Sequence, residues 1–301
     1  MPTSLRSRFW KAAIRLAFRD KDLSIPQERA RSEQSGRFHP PFPKGLRVDE
    51  FALDGLRCAA IHPAAEIPGK VLLYLHGGGY VTGSIAASLM LCVPLSRSLS
   101  MHVVVPEYRL APEHPYPAAL DDALKAFRWL LAQGYAGSDI VMAGDSAGGG
   151  LCLSTVLALR DSGEPLPAAL LCLSPWTDLS NAGASHTANA GRDVLLCTAM
   201  LDRWASCYAS GRPLEDPGLS PINGDYHGCP PLCILADRSE ILLDDSVNLA
   251  RRAEAAGVDV SLSLWDGLWH VWPALGDLIP ESEAAFSCMR QFLATRGVCA
   301  S

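Results

Sequence analysis

The sequence predicts an α/β fold: a mostly parallel, doubly wound central sheet with helices on both faces and a helical cap. Two observations predict it. Short apolar runs near 71–75, 102–106, 139–143, 168–173, 231–235 and 258–264 alternate with helix-length stretches, the pattern of strands joined by helical crossovers. Runs such as Val71 to Leu75 are apolar throughout, as a strand covered on both faces requires.

The elements follow in order. Residues 1–45 read as N-terminal cap helices that end in a Pro-rich linker from Phe38 to Pro43. Within them Phe9, Trp10, Ala13, Ile14, Ala17 and Phe18 fall at helical spacing among basic residues. This is an amphipathic helix, expected to pack its apolar face over the site rather than onto a lipid surface. Residues 46–180 form the first part of the core. They open with a hairpin, because Asp54-Gly55 separates two strand-like runs. Helices are expected over 117–133 and 149–160. An insertion at 181–223, containing a helix over 198–210, reads as a second cap element. Residues 224–301 complete the core and close with a helix over 281–296.

Between the run ending at Ala143 and the helix beginning at Gly149 stands Gly144-Asp145-Ser146-Ala147-Gly148. A G-x-S-x-G turn between strand and helix exposes a nucleophilic serine, and its glycines give the sharp bend the room a β-carbon would fill. The helix N-terminus beside Ser146 favours developing negative charge. A second motif, His76-Gly77-Gly78-Gly79-Tyr80, follows the first apolar strand and matches a loop that supplies oxyanion-hole amides. The amides of Gly78, Gly79 and Ala147 are the candidate oxyanion donors, each such donor being typically worth about 100- to 1000-fold in rate. The spacing fits no phosphate-binding or dinucleotide fingerprint.

A serine nucleophile needs a base and the base needs an orienting acid, which in this kind of fold follow the serine in that reverse order, acid then histidine. Of the eight histidines only His270 follows the acidic segment 236–245. That segment stands at the carboxyl end of a predicted strand, where α/β sites assemble. Chemistry alone leaves Asp237, Glu240, Asp244 and Asp245 open as the acid.

With these residues in view, the chain resembles the bacterial hormone-sensitive-lipase family of esterases, the H-G-G-G or G-D-x-G lipolytic family of the α/β-hydrolase fold. Four blocks carry the resemblance, from about residue 46 onward: His76 to Tyr80, Tyr108 to Asp122, Gly144 to Gly149, and Asp266-Gly267-Leu268-Trp269-His270. The family's acid opens a D-P-L-x-D run. Glu240-Ile241-Leu242-Leu243-Asp244 overlays that run with glutamate in the acid's place, so the resemblance implies Glu240 as the acid and Asp237 as the alternative. It also implies a carboxylesterase for short- to medium-chain acyl esters and a scaffolding role for the block from Tyr108. There Arg109, Glu113 and Asp121 are expected to form an internal ion-pair network. Lactone hydrolysis or N-acyl amide cleavage by the same residues is the alternative, and a binding-only role would call for loss of His270. Tyr80, Trp176, Trp204 and Tyr208 are candidates to line the substrate pocket.

Composition sets the remaining bounds. A formal charge of −6 without a basic cluster beyond the N-terminus disfavours nucleic-acid binding. Ten cysteines, mostly within apolar runs, read as buried thiols of a reducing compartment, and no zinc-like spacing accompanies Cys229 and Cys233. No metal and no cofactor are expected. No signal peptide is visible and no run reaches membrane-spanning length, so a cytoplasmic enzyme without stable membrane insertion is expected, with a homodimer possible through its last strand and last helix.

Overall fold

The computed structural model describes residues 3–36 and 41–299. Eight strands form one sheet: β1 (Arg47–Leu53), β2 (Leu56–His62), β3 (Val71–Leu75), β4 (His102–Pro106), β5 (Ile140–Asp145), β6 (Ala169–Leu173), β7 (Leu232–Asp237) and β8 (Val260–Trp265). Their spatial order is β1-β2-β4-β3-β5-β6-β7-β8. The hairpin β1–β2 turns at Asp54-Gly55 and runs antiparallel to β4, while every pair from β4 to β8 is parallel. The α/β-hydrolase fold class read from the sequence is the fold observed, and the strand boundaries lie within a few residues of those expected.

The nine helices of the described residues are α1 (Leu5–Ala17), α2 (Ile25–Gly36), α3 (Ile85–Leu99), α4 (Ala118–Ala132), α5 (Ala147–Asp161), α6 (Ser185–Ala188), α7 (Thr198–Ala209), α8 (Leu243–Ala255) and α9 (Pro280–Ala294). Alternation along each strand divides the core between the two faces of the sheet. Leu73, Met142, Leu170 and Ile234 pack with α4, α5 and α8 on one face. Leu72, Val141, Leu171 and Cys233 pack with α3 and α9 on the other. Strands β3 to β7 are buried along their length, which explains why their sequences carry almost no polar alternation.

Two expectations differ from the structure. Helix α1 does not bury the apolar face expected of it: Trp10 and Ile14 pack on the core, but Phe9 is 66% exposed and Leu5 and Leu16 are more so. The helix instead lies against the 266–267 turn and α9, with Ser4 and Ser7 hydroxyls donating to Glu281 and Lys11 Nζ donating to the Gly267 carbonyl. The expected network of Arg109, Glu113 and Asp121 is also redistributed. Arg109 pairs with the buried Asp122 at 2.9 Å, and Glu113 receives Arg29 of α2 at 2.7 Å. Part of the Pro-rich linker, through Pro40, lies outside the described residues.

Candidate active site

The nucleophile candidate stands at the turn between β5 and α5. Ser146 has φ 52° and ψ −122°, a strained conformation for a residue with a β-carbon, and it is held there from both sides. Its N–H donates to the Leu173 carbonyl at 2.9 Å, and its own carbonyl accepts the Trp176 N–H at 2.9 Å. Gly148 permits the bend, because a β-carbon there would come within 2.0 Å of the Leu75 carbonyl oxygen. The serine side therefore leans directly on the strand that leads to the His76-Gly77-Gly78-Gly79 loop.

That loop is fixed by Asp145. Its Oδ1 accepts the Gly77 N–H at 2.8 Å and the Tyr74 hydroxyl at 2.5 Å. Gly78, Gly79 and Tyr80 all take positive φ, which turns the loop back over the sheet end. Gly79 is pressed against Trp204 of α7, where an added β-carbon would meet the indole at 2.1 Å. Among the described residues the amides of Gly78, Gly79 and Ala147 make no backbone hydrogen bond, and α5 begins at Ala147, so its dipole points at the same spot.

His270 and Glu240 meet at this edge. His270 Nδ1 lies 2.6 Å from Glu240 Oε2, with the carboxylate fully buried. Glu240 Oε1 accepts the Ser174 hydroxyl at 3.0 Å and the Asp237 N–H at 2.6 Å. Burial raises the Glu240 carboxyl pKa against the lowering effect of the His270 hydrogen bond. Burial would lower His270, but the hydrogen bond and negative charge of Glu240 outweigh it, and the net direction is upward. Because the carboxylate accepts at Nδ1, that nitrogen bears the proton and Nε2 is left basic. Among the described residues the hydrogen bond of the His270 ring runs to Glu240, and a contact from a nucleophile to its base often tightens only with substrate in place.

Asp237, the alternative acid, has a different occupation. Its Oδ2 accepts the Leu268 N–H at 2.9 Å and its Oδ1 accepts the Ser239 N–H at 2.9 Å and the Ser239 hydroxyl. It ties the turn carrying His270 to the turn carrying Glu240. Asp244 accepts the Ser185 N–H, and Asp245 accepts the N–H groups of Thr177 and Asp178.

The four aromatic pocket candidates are all buried. Tyr80 stacks on Tyr208 with ring centroids 3.8 Å apart, and Trp176 spends its indole N–H on Asn181. Trp204 donates to the buried Glu28 of α2 at 2.8 Å. Reading motifs missed two residues. Ser174 bridges Glu240 to the backbone N–H of Val271, with the latter bond at 3.1 Å, yet it belongs to no pattern. Asp145 was visible inside G-x-S-x-G, but nothing local to it showed its partner 68 residues away.

One metal-competent group exists among the described residues. His62, Glu66 and His102 bring ligand atoms within 4.8 Å of one another. His62 ends β2 and His102 begins β4, so the group lies at the end of the sheet opposite the strand ends that carry Ser146, and spacing in sequence concealed it.

A family model described as the alpha/beta hydrolase fold matches residues 72–274. An acetyl-hydrolase of Streptomyces hygroscopicus is 43% identical over 235 residues, 78% of this chain and 78% of its own. An ethyl acetate hydrolase of Pseudomonas putida is 36% identical over 228 residues, covering 72% and 70%. The crystal structure of an esterase from the bacterial hormone-sensitive lipase family superposes with a TM-score of 0.93 at 36% identity, over 98% of this chain and 99% of that one. The fold, the serine turn, the glycine loop and these similarities converge: the chain belongs to the α/β-hydrolase family, among esterases of the bacterial hormone-sensitive-lipase type, and is a carboxylic ester hydrolase.

Proposed function

We propose that this enzyme cleaves short- to medium-chain acyl esters through Ser146, His270 and Glu240 by way of an acyl-enzyme. The 2.6 Å contact between Glu240 and His270 carries the reading, because it leaves Nε2 as the free base. His270 Nε2 takes the Ser146 proton as Oγ attacks the carbonyl carbon. The amides of Gly78, Gly79 and Ala147 receive the oxyanion, and His270 returns the proton to the departing alcohol. Water, deprotonated by the same nitrogen, then adds to the acyl carbon and releases the acid. Every step uses the chain's own residues and water.

A short acyl group is supported by the aromatic packing. Tyr80, Trp176, Trp204 and Tyr208 fill the cap side, each less than a tenth exposed, so a long chain would have to displace them. Two relatives are named for acetyl and ethyl acetate hydrolysis, which agrees. The ten cysteines are all free thiols, in keeping with a cytoplasmic setting. Initial rates on p-nitrophenyl esters from acetate to palmitate, with Ser146→Ala alongside, test the reading. The expected result is a maximum at short chains that vanishes in the variant. Turnover retained by pure Ser146→Ala, or a maximum at palmitate, would overturn it.

A further inference from the structure

Helix α1 carries two apolar arcs rather than one. Trp10 and Ile14 face the core. Leu5, Phe9 and Leu16 are 80%, 66% and 72% exposed and are three of the five large hydrophobic residues that the described surface exposes. At 3.6 residues per turn they fall within an arc of about 40°, and the same geometry puts Arg8 and Arg15 along one flank and Arg6 along the other. The helix holds four cations, Arg6, Arg8, Lys11 and Arg15, and no acidic residue, on a chain of formal charge −6. Beneath it lies a cleft of about 600 Å³ lined by Thr3, Arg8, Lys11, Ala12, Arg15 and Gly267.

We propose that α1 docks the enzyme on an anionic lipid surface, with Leu5, Phe9 and Leu16 inserted among the acyl chains and Arg8 and Arg15 on headgroup phosphates. An apolar stripe flanked on both sides by arginines is the arrangement of a helix lying in the plane of a bilayer interface, where guanidinium groups reach outward from an immersed backbone. The concentration of positive charge on one helix of an acidic protein favours a negative surface, which attracts this face against the net charge of the whole. Among the described residues no helix is long and apolar enough to cross a membrane, and the association proposed is a peripheral one.

The position of α1 connects docking to the site. Lys11 Nζ donates to the carbonyl of Gly267 at 3.2 Å and to Ser239 Oγ at 3.4 Å, and Thr3 Oγ1 donates to the carbonyl of Asp266. These turns carry His270 and flank Glu240. Docking therefore holds the catalytic edge beside the lipid surface and presents it with esters that partition there. This second half rests on the esterase reading, whereas the docking itself does not.

Co-sedimentation with vesicles of phosphatidylcholine, and with vesicles of equimolar phosphatidylcholine and phosphatidylglycerol, tests the proposal with the full chain. The anionic vesicles should bind the enzyme, and raised salt should weaken binding. Leu5→Ser/Phe9→Ser/Leu16→Ser should lower the partition coefficient by roughly 100-fold or more. Arg8→Gln/Arg15→Gln should lower it about fivefold per charge. Hydrolysis of p-nitrophenyl butyrate without vesicles, unchanged in both variants, shows that the fold and the catalytic centre are intact. No binding to anionic vesicles, or binding that the triple variant retains, overturns the proposal. A wild-type oligomer that the triple variant dissolves, without any vesicle binding, would assign the stripe to a second copy of the chain instead.

Discussion

Glu240 Oε2 accepts from His270 Nδ1 at 2.6 Å inside a fully buried pocket, and Glu240 is the carboxylate that does so while Asp237 serves backbone amides. On the proposed mechanism the pair sets the pH response of the enzyme. The base must be neutral to act, so kcat/KM rises with pH as His270 loses its proton. Because Glu240 raises the His270 pKa, the midpoint of that rise should lie above 6.5. Glu240→Gln removes the negative charge and leaves burial, which lowers the pKa. The midpoint should move to lower pH while kcat drops on the order of 1000-fold or more. A pH–rate profile of the variant checks both, and an unmoved midpoint would contradict the pairing.

Ser174 is a positioning residue. Its hydroxyl donates to Glu240 and its oxygen receives the Val271 N–H, so it spaces the acid from the histidine's neighbour. Ser174→Ala should reduce kcat by roughly 10- to 100-fold, the worth of a hydrogen bond to a charged group. KM should change little, since the residue lies behind the imidazole. Normalising kcat to the folded fraction, read by circular dichroism and thermal unfolding, separates this from a simple loss of folded protein.

Gly79 and Trp204 are coupled by contact. Gly79→Ala would bring a β-carbon to 2.1 Å from the indole at a backbone φ of +61°. The loop must shift and the Gly79 amide with it, costing about 100-fold in kcat, as removal of an oxyanion donor does. Adding Trp204→Ala relieves the steric part, so the double variant should be faster than Gly79→Ala alone. A double-mutant cycle with no coupling would place the loss elsewhere.

Chelators should leave ester hydrolysis unchanged. The His62, Glu66 and His102 group stands at the opposite end of the strands, and no proposed step passes through it. Rates before and after exhaustive dialysis against EDTA test this, with a loss restored by Zn²⁺ as the contrary outcome.

Much of the architecture was legible because buried parallel strands leave a strong mark. Val71 to Leu75, Ile140 to Ala143 and Leu232 to Leu235 are apolar without a break, and Asp54-Gly55 announces its own turn. The serine turn and glycine loop were legible for the same reason, since steric demands there admit few residues. What escaped was relational. Periodicity could not tell which arc of α1 faces inward, because Trp10 and Ile14 on one side and Leu5, Phe9 and Leu16 on the other are equally apolar. Arg29 could not be matched with Glu113 before the cap helix was placed beside the Tyr108 block. The small hydroxyl of Ser174 acquires meaning only through its partners, 66 and 97 residues away.

The segment between β6 and β7 also fastens the acid. Asn189 Nδ2 donates to the carbonyls of Arg238 and Glu240 at 3.0 and 2.9 Å, Asp193 Oδ2 accepts the Ile241 N–H at 2.9 Å, and Ser185 Oγ donates to the Ile241 carbonyl at 2.6 Å. An insertion of this kind would ordinarily be an interchangeable part, free to drift as substrates change. Here Ser185, Asn189 and Asp193 hold the turn of Glu240, the proposed third member of the triad. On the proposed mechanism residues 185–193 are thus tied to the chemistry, whereas α7 holds none of these bonds to the acid's turn. A chimera that exchanges 198–209 should inherit a new substrate range, whereas one that exchanges 185–193 should lose the reaction.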